Sequence, residues 1–256
     1  MQRSGRRVKL PAMSRIAIIT GAAQGIGFAI AEGFAARGDH VVIADPRGAA
    51  AAAATLPRAI GIGCDVADPA SVDAMVAEVM ARHGRIDVLV NNAGIFTSLL
   101  PGPLEEITPE AWRRVMSVNV DGVFHTARAV VPHMKAQGQG AILHIGSATA
   151  FKGNPLMLHY VTSKAAVLGL TRSMARELGP LGIRVNNLAP GYTLSDGMLA
   201  NDVQLARGRQ KNIDERAMKR DMMPADLVGA ALFLCGDQAG MITGQTLVVD
   251  GGVFMH

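Results

Sequence analysis

The sequence predicts one α/β domain in which a Rossmann-type, doubly wound parallel sheet of about seven strands lies between two helical layers. Short β-branched runs alternate with longer, alanine-rich segments from residue 14 onward, and parallel strands need such crossover connections. Hydrophobic residues make up 49% of the 256 residues and aromatic residues only 4%, so small aliphatic side chains must build the core. No repeat or shift in composition indicates a second domain.

The first half of the chain contains four predicted strands and three predicted helices. The helices carry apolar residues at helical spacing and end at breakers such as Gly38 and Pro57. The predicted strands are Ile16–Ile19, Val41–Ile43, Ala59–Gly63 and Ile86–Val90, and the predicted helices are Gly25–Arg37, Ala49–Leu56 and Pro69–His83.

The second half continues the alternation. A long helix contains Val115–Met134, and we expect Pro132 to bend or shorten it. The stretch Ser195–Met223 is polar and predicted to be irregular, and a substrate lid is expected near residues 193–223. The remaining predicted elements are the strands Ala141–Ile145, Arg184–Ala189 and Thr246–Val249 and the helices His159–Leu178 and Pro224–Cys235.

Charge and cysteine content argue against several classes of function. Much of the net charge of +4 comes from residues 1–13, predicted to be a flexible basic extension before a domain at 14–256. A nucleic-acid reader would more often carry a clustered basic face, and no apolar run could span a bilayer. Cys64 and Cys235 have no metal-ligand spacing, which favours buried free thiols. We expect a cytoplasmic protein without metal, membrane or nucleic-acid partners.

A glycine-rich segment follows the first predicted strand. Its glycines allow a tight turn and a close approach to a pyrophosphate, whose charge the next helix N-terminus stabilises. Three glycines alone would also fit an ordinary strand–helix turn, but both flanking elements are predicted here. The cofactor-binding residues expected in this segment are Gly21, Gln24, Gly25, Ile26 and Gly27.

An acidic residue, Asp45, follows the second predicted strand. A carboxylate there can accept both ribose hydroxyls of NAD and would repel the extra phosphate of NADP. The alternative is that Asp45 caps the helix Ala49–Leu56. Arg47 could partly accommodate a phosphate, but the glycine loop itself carries no positive charge. The sequence therefore favours NAD over NADP.

Further motifs follow along the chain, and their combination is more specific than any one of them. In order they are Thr20–Gly27, Asp65, Asn91-Asn92-Ala93-Gly94, Asn119, Ser147, Tyr160-x3-Lys164 and Pro190-Gly191. With this set, the chain from Ser14 to the C-terminus resembles the short-chain dehydrogenase/reductase family. The resemblance implies an NAD(H)-dependent oxidoreductase that interconverts a secondary alcohol and a ketone, and a homotetramer or homodimer.

The resemblance also implies where the cofactor binds. Asp65 and Val66 would lie beside the adenine, and the segment Pro190–Thr193 would contact the nicotinamide half. Beyond the glycine loop and Asp45, the implied cofactor residues are Asp65, Val66, Asn92, Ala93, Gly94, Tyr160, Lys164, Pro190, Gly191 and Thr193.

Tyr160 and Lys164 lie four residues apart on a predicted helix and therefore share one face. A tyrosine with a pKa of about 10 is a poor base near neutral pH, but a nearby ammonium and a positive nicotinamide would favour the phenolate. Tyr160 could then take the alcohol proton during oxidation or donate it during reduction. The resemblance adds that Lys164 holds the nicotinamide ribose, Ser147 the substrate oxygen and Asn119 a water.

The segments expected to border the substrate are mostly apolar, which favours a small apolar or aromatic alcohol or ketone. The predicted substrate-binding residues are Phe96, Ser147, Phe151, Met157 and Tyr192. The basic stretch at residues 204–220 is interpreted as a solvated lid surface rather than an anion-binding one. His144 and His159 are interpreted as structural.

Three other functions stay open. A 3-oxoacyl-thioester (acyl-carrier) reductase is the runner-up, because turns 137–140 and 179–182, where such relatives place basic residues, are neutral. An epimerase or dehydratase with a retained NAD would usually have a larger C-terminal substrate domain. A non-catalytic NAD-sensing protein could share the fold, but it would not need to keep Ser147, Tyr160 and Lys164.

Overall fold

The structure, a computed structural model, describes residues 14–255. Its seven strands form one parallel sheet in the order β3-β2-β1-β4-β5-β6-β7, which confirms the predicted fold class. The strands are β1 (Ile16–Thr20), β2 (His40–Ala44), β3 (Ala59–Ile62), β4 (Val88–Asn91), β5 (Gly140–Ile145), β6 (Ile183–Pro190) and β7 (Thr246–Val249). The basic extension predicted at residues 1–13 lies outside the described residues.

Helices connect the strands. They are α1 (Gly25–Ala36), α2 (Ala49–Ala53), α3 (Pro69–His83), α4 (Pro109–Met116), α5 (Gly122–Gln137), α6 (Thr149–Lys152), α7 (Leu158–Leu178), α8 (Asp196–Leu199), α9 (Asp202–Glu215) and α10 (Ala225–Leu234). A π-helical turn, Ser117–Asp121, joins α4 to α5.

The strand β1 shows how the sequence builds both faces of the sheet. All five of its residues are buried. Ile16 and Ile18 belong to the hydrophobic cluster shared with α3, α5 and α7. Ala17 and Ile19 belong to the cluster shared with α1 and α10. Successive strand residues point to opposite faces, so one aliphatic run supplies the core of both helical layers.

The order of the strands reverses at β1, because β2 and β3 lie on one side of it and β4 to β7 on the other. Connections diverge at such a switch point and leave a crevice at the carboxyl ends of the strands. The glycine loop follows β1 and the Asn-Asn-Ala-Gly segment follows β4, so the fold brings these two motifs together.

The helix predicted to contain Val115–Met134 is found as α4 and α5, joined by the π-helical turn Ser117–Asp121. The Thr108 hydroxyl accepts a hydrogen bond from Ala111 N at 3.2 Å, and Pro109 occupies the first turn, a favoured start for a helix. Pro132 lies inside α5 without ending it, so of the two predicted effects, a bend or a shortening, the shortening is wrong. The helix ends at Gly138, which has a left-handed conformation.

The expectation that Ser195–Met223 is irregular is also wrong, because the segment contains α8 and α9. Polar α9 gains support from side chains one turn apart, such as Lys211 and Glu215, whose charged atoms are 3.9 Å apart. Gly208 lies within α9, and a Cβ there would come within 2.6 Å of the Tyr192 ring. The glycine therefore allows α9 to pack closely on Tyr192.

Candidate active site

A cleft of about 1020 Å³ opens at the carboxyl edge of the sheet, lined by segments that follow β1 to β6 and by helices α8 and α9. This is the place where α/β folds of this topology bind ligands. The sequence-predicted residues that line the cleft are Gly21, Gln24, Gly25, Ile26, Asp45, Asp65, Val66, Asn92, Ala93, Gly94, Phe96, Ser147, Met157, Tyr160, Lys164, Pro190, Gly191, Tyr192 and Thr193.

The glycine loop is fixed to the segment after β4. Asn92 Nδ2 donates to the carbonyls of Thr20 at 3.0 Å and Gly21 at 2.8 Å. Gly21 has a φ of +62°, and a Cβ on it would lie 2.6 Å from Ala93 Cα. A Cβ on Gly27 would lie 2.4 Å from Asn92 Nδ2. Gly27 therefore lies behind the loop and lets α1 approach it, while the loop backbone faces the cleft.

The N-terminus of α1 binds the carboxylate of Asp196, the first residue of α8. The N–H of Gly25 donates to Asp196 Oδ2 at 2.8 Å, and Gln24 precedes the helix without capping it through its side chain. A carboxylate in this place is the arrangement expected for the positive end of a helix. The same backbone groups fit the pyrophosphate of a dinucleotide.

Asp45 does not cap α2. The residue before α2 is Gly48, and no side chain caps that helix in the described structure, so the capping alternative is wrong. Asp45 Oδ2 instead accepts from Ala23 N at 3.2 Å, and Oδ1 accepts from Arg47 N at 3.1 Å. Asp45 thus ties the end of β2 to the glycine loop and presents its carboxylate to the cleft.

Asp65 and Val66 follow β3 at the far end of the cleft. Asp65 Oδ1 accepts from Ala67 N at 2.9 Å, and Asp65 N donates to the Ser71 hydroxyl at 3.0 Å. These hydrogen bonds fix the turn that leads from β3 into α3, and they hold Asp65 in place where it lines the cleft.

Tyr160 lies on the first turns of α7 at the cleft floor, with 7% of its surface exposed. Burial raises the pKa of its phenol to about 12, while the hydrogen bond with Ser147 acts in the opposite direction. The Ser147 hydroxyl also accepts from the Thr149 hydroxyl at 2.9 Å. Because Thr149 fills an acceptor site on Ser147, the single Ser147 proton is directed to the Tyr160 phenol, which lines the cleft.

Lys164 lies one helical turn beyond Tyr160, with 6% of its surface exposed. Its Nζ donates to the carbonyl of Ile145 at 2.8 Å and lies 5.9 Å from the centroid of the Tyr160 ring. Burial lowers the pKa of the ammonium to about 8. The expected lowering of the Tyr160 pKa by Lys164 is therefore absent in the protein alone, where desolvation is the larger effect.

Asn119 is buried in the π-helical turn between α4 and α5. Its Oδ1 accepts from Ile95 N at 2.7 Å, and its Nδ2 donates to the Ser163 hydroxyl at 3.0 Å. A Cβ on Gly94 would lie 3.4 Å from Asn119 Oδ1 and 3.5 Å from Lys164 Nζ, so Gly94 brings the loop backbone close to both. The π turn, a feature frequent at functional sites, thus joins Asn119 to the loop and to α7.

A buried polar layer lies behind these residues. Asn91 Nδ2 is 3.1 Å from His144 Nδ1, and Asn91 Oδ1 accepts from the Thr126 hydroxyl at 2.6 Å. Burial, with a smaller effect of the Lys164 charge, lowers the pKa of His144 to about 3. His144 is therefore neutral, in agreement with a structural role. Burial also lowers the pKa of His159.

The segment Pro190–Thr193 is held between strands. Ala148 N donates to the carbonyl of Pro190 at 2.9 Å, and the Thr193 hydroxyl donates to the carbonyl of Gly191 at 3.0 Å. A Cβ on Gly191 would lie 2.6 Å from Cβ of Asp250. The chain therefore passes close to the C-terminal loop while its backbone faces the cleft.

Three of the predicted substrate-binding residues lie together in the cleft with Tyr160, although charged residues such as Lys152 and Glu215 also line it. The rings of Phe96 and Tyr160 are 4.6 Å apart, and Met157 and Tyr192 also line the cleft. Phe151 does not line the cleft. It stacks on Phe254 with 5.1 Å between the ring centroids, because α6 turns this side chain away from Ser147. The prediction that Phe151 contacts substrate is therefore not supported by its position.

Several charged residues in this region were missed by sequence reasoning. Arg216 is 2% exposed, and its guanidinium donates to the carbonyls of Tyr192, Arg220 and Asp250. The two carboxylate oxygens of Asp250 accept from three backbone N–H groups at residues 252–254. An acidic residue directly before Gly251-Gly252 is a pattern that predicts a turn, so the role of Asp250 could have been predicted from the sequence. The residues around Arg216 give no comparable indication that it is buried.

The two cysteines, Cys64 and Cys235, are both buried and free, as predicted. Burial raises the pKa of the Cys64 thiol to about 11 and that of Cys235 to about 12. Within residues 14–255, no group of three His, Cys, Asp or Glu could hold a metal ion. None of the helices in this described part is both long and apolar enough to cross a membrane.

Comparison with known proteins shows similarity over nearly the whole chain. The family described as enoyl-(acyl carrier protein) reductase matches residues 21–254. The 3-oxoacyl-[acyl-carrier-protein] reductase FabG of Staphylococcus aureus is 37% identical over 250 residues, which cover 95% of this chain and 99% of the relative.

Two solved structures show the same fold with different dinucleotides. The 3-ketoacyl-(acyl-carrier-protein) reductase from Brucella melitensis, complexed with NADH, has a TM-score of 0.88 and 37% identity, covering 95% of this chain and 99% of its own. A gluconate 5-dehydrogenase from Burkholderia cenocepacia, in complex with NADP and tartrate, has a TM-score of 0.87 and 38% identity, covering 94% and 96%.

Proposed function

The chain belongs to the short-chain dehydrogenase/reductase family of oxidoreductases, and on this premise we propose that it interconverts a secondary alcohol and a ketone with NAD(H). The observation that carries the proposal is the convergence of Ser147, Tyr160 and Lys164 on one cleft with the glycine loop. When bound, the nicotinamide ring accepts or supplies the hydride. A proton must move at the substrate oxygen in the same reaction, and these side chains are suited to move it.

Tyr160 is the proposed acid and base. A buried phenol whose pKa is about 12 carries its proton at neutral pH and can donate it to a substrate oxygen that gains charge during reduction. Ser147 contacts the same phenol, so a carbonyl oxygen that replaces this contact would accept one hydrogen bond from each hydroxyl. Donors fixed in advance around a developing charge stabilise the transition state.

Lys164 is proposed to hold the nicotinamide ribose and to return protons to Tyr160. One of its three ammonium donors is used by the carbonyl of Ile145, and the other two remain for ribose hydroxyls. With its pKa lowered to about 8, Lys164 can lose a proton more easily than a surface lysine. Asn119 contributes by holding the loop at Ile95 and the α7 hydroxyl of Ser163.

We propose NAD rather than NADP as the preferred cofactor. Asp45 presents a carboxylate at the end of β2, where it would accept ribose hydroxyls and repel a 2′-phosphate. Arg47 also lines the cleft, and its positive charge would attract the 2′-phosphate of NADP. The preference for NAD over NADP is therefore expected to be partial.

Changing Asp45 to Asn should lower the ratio of kcat/KM for NADH to that for NADPH by about tenfold, because the variant keeps the side-chain size and removes the charge. The measurement is the initial rate with each cofactor at a fixed ketone concentration. Asp73→Asn, which alters an exposed carboxylate on α3, is the matched control. An unchanged ratio in Asp45→Asn would show that Asp45 stabilises the glycine loop and does not select the cofactor.

A 3-oxoacyl-thioester (acyl-carrier) reductase is the second candidate, favoured by the relatives reported above. The neutral turns 137–140 and 179–182 had argued against it. Both turns, however, lie at the amino ends of β5 and β6, where Gly140 N donates to the carbonyl of Gly182. The cleft opens at the opposite edge, so these turns do not decide whether a carrier reaches this cleft.

A substrate screen tests the proposal. We expect oxidation of NADH by at least one member of a panel of aryl ketones, aliphatic ketones, keto sugars and 3-oxoacyl thioesters. The change in NADH absorbance gives the rate, and the reverse reaction with NAD and the matching alcohol is the check. Tight NADH binding without turnover of any member would favour the NAD-sensing alternative instead.

The assembly and the location of the protein are also proposals. β7 is an edge strand of the sheet, and Leu247 on it is 39% exposed. An edge strand with apolar exposure can pair with a second copy, which supports a homotetramer or homodimer. The buried free thiols suit the reducing cytoplasm. Light scattering of the purified chain would determine the oligomeric state.

A further inference from the structure

A three-residue charged cluster, Lys152–Glu215–Lys211, stands at the mouth of the cleft and joins its two walls. Lys152 ends α6, the helix that follows the Ser147 segment, whereas Lys211 and Glu215 lie on the lid helix α9. Glu215 Oε2 pairs with Lys152 Nζ, and Oε1 lies 3.9 Å from Lys211 Nζ. All three residues line the cleft.

The cluster carries one positive charge more than its single carboxylate can balance. Other arginines of the lid region are committed elsewhere: Arg209 pairs with Asp221, and Arg220 pairs with Asp226. They cannot share their charge with a ligand without breaking these pairs. On the side of the cleft formed by α6 and α9, the excess positive charge therefore belongs to the two lysines, whereas Arg47 and Arg114 line the cleft from other segments.

The two ammonium groups remain able to bind another anion. The side chains of Lys152 and Lys211 are 40% and 72% exposed, and exposed ion pairs of this kind are weak. Each ammonium has three donors; Glu215 accepts one hydrogen bond from Lys152, and its other oxygen lies 3.9 Å from Lys211 Nζ, too far for a hydrogen bond. A further carboxylate or phosphate could thus bind both lysines while Glu215 still holds them together.

Apolar side chains lie in the same cleft as the cluster and Tyr160. Phe96 packs on the Tyr160 ring at 4.6 Å, and Met157 and Met198 are buried residues of the same lining. A ligand that complements this lining has its carbonyl at Tyr160, an apolar body and an anionic end at the mouth of the cleft.

From this arrangement, and resting on the proposed function, we propose that the substrate carries an anionic group remote from the reacting carbon, held by Lys152 and Lys211. Carboxylate, sulfonate and phosphate groups share the required chemistry. The contact does not touch the reacting atoms, so it strengthens ground state and transition state alike and acts on KM more than on kcat. Glu215 positions the two ammonium groups and opposes the ligand charge.

The test uses 4-acetylbenzoate and its methyl ester, two aryl ketones that differ in one negative charge, with NADH as the cofactor. Wild-type protein should prefer the acid in kcat/KM. Lys152→Met and Lys211→Met should each lower that preference by about fivefold, the size of an exposed charge contact. The rate with the ester should fall less than the rate with the acid in both variants. Lys219→Met is the matched control, since Lys219 contacts the carbonyl of Asp214 instead.

The variant Glu215→Gln distinguishes two roles of the cluster: binding of the substrate anion, and a structural contact that only holds α6 and α9 together. If the cluster binds the substrate anion, this variant should raise the preference for the acid by about threefold, because a competing negative charge is removed. If the cluster only holds α6 and α9 together, Glu215→Gln and Lys152→Met should reduce the rates with acid and ester equally. That result would overturn the proposal.

A second experiment tests whether the anionic group is a phosphate. It compares kcat/KM for acetoacetyl coenzyme A with that for the small ester methyl acetoacetate. Binding of 4-acetylbenzoate and of its ester to the NAD-loaded protein, measured by calorimetry, needs no turnover. Equal affinity for the acid and the ester, together with no preference for the coenzyme A thioester, would overturn the inference while leaving the oxidoreductase function in place. Failure of the proposed function would instead appear as no turnover across the whole ketone panel.

Discussion

Replacing Tyr160 by phenylalanine should reduce turnover by about a thousandfold, in the middle of the range for loss of a positioned acid or base. The substitution removes one oxygen from a ring that is 7% exposed and leaves the packing against Phe96 intact. The lost contact is the hydrogen bond with Ser147, so stability should change by only about 1 kcal/mol. NADH should bind nearly as tightly as to the wild type.

Stopped-flow or steady-state rates, with NADH affinity from fluorescence titration, test this expectation. Thr171→Val is the matched control, because it removes another buried hydroxyl of α7 that bonds only within the helix, to the carbonyl of Val167 at 2.7 Å. Turnover of Tyr160→Phe within about tenfold of the wild type would remove Tyr160 from the proton-transfer step.

The two directions of the reaction should depend on pH differently. Reduction uses the protonated phenol, which burial preserves by raising the pKa of Tyr160 to about 12, so its rate should be flat from neutral to mildly alkaline pH. Oxidation needs the phenolate, whose fraction grows with pH, so its rate should rise over the same interval. A fall in the oxidation rate with rising pH would contradict the assignment of Tyr160 as the base.

The sequence predicted an element correctly where the residues that define its ends are its neighbours in the chain. The strand β7 has the predicted bounds, and Pro69–His83 was predicted correctly because Asp68 caps the helix and Gly84 ends it. Both signals are written in neighbouring residues. The glycine loop, the Asn-Asn-Ala-Gly segment and Tyr160-x3-Lys164 were placed on the correct elements for the same reason.

Other features depend on contacts between distant segments. The π turn exists where Asn119 bonds with Ile95 and Ser163, and nothing within residues 117–121 alone predicts an extra residue in the helix. Helix α9 is polar and contains Gly208, and the need for a glycine there is seen only in its close contact with the Tyr192 ring. Phe151 was misplaced because sequence distance from Ser147 does not give the direction of a side chain on α6.

The electrostatics of the catalytic pair show the same limit. Spacing correctly placed Tyr160 and Lys164 on one helix face, but it could not show that both would be nearly desolvated. Burial disfavours the charged form of each group, so the pKa of the phenol rises and that of the ammonium falls. In the protein without cofactor, Tyr160 is therefore an uncharged phenol, and Lys164 holds its proton less tightly than an exposed lysine. The burial of the Lys164 charge lowers the stability of the folded protein.

Replacing Lys164 by methionine should abolish most turnover and make the folded protein more stable near neutral pH. Methionine has a similar length and fills apolar surroundings, and the variant no longer carries a charge whose burial lowers its pKa from 10.5 to about 8. The relief is on the order of 3 kcal/mol. Loss of the hydrogen bond to the carbonyl of Ile145 offsets about 1 kcal/mol of it.

The sign of the pH dependence follows from proton binding. Below the folded pKa of about 8 both states hold the Lys164 proton, and the native state bears the full cost of burying the charge. Between pH 8 and 10.5 the unfolded chain holds more protons than the native one, so the stability contribution of Lys164 rises with pH. In Lys164→Met this rise is absent, and the advantage of the variant should shrink as the pH increases.

Urea unfolding of both proteins without cofactor, at a series of pH values from neutral to about 10, measures the difference directly. Cys64 and Cys235 also titrate in this interval, since burial raises the pKa of each above 9.0. Their contribution is common to both proteins and cancels in the difference. Parallel stability curves, with the variant no more stable at neutral pH, would mean that Lys164 bears no burial penalty. The ease with which it gives a proton to Tyr160 would then need another source.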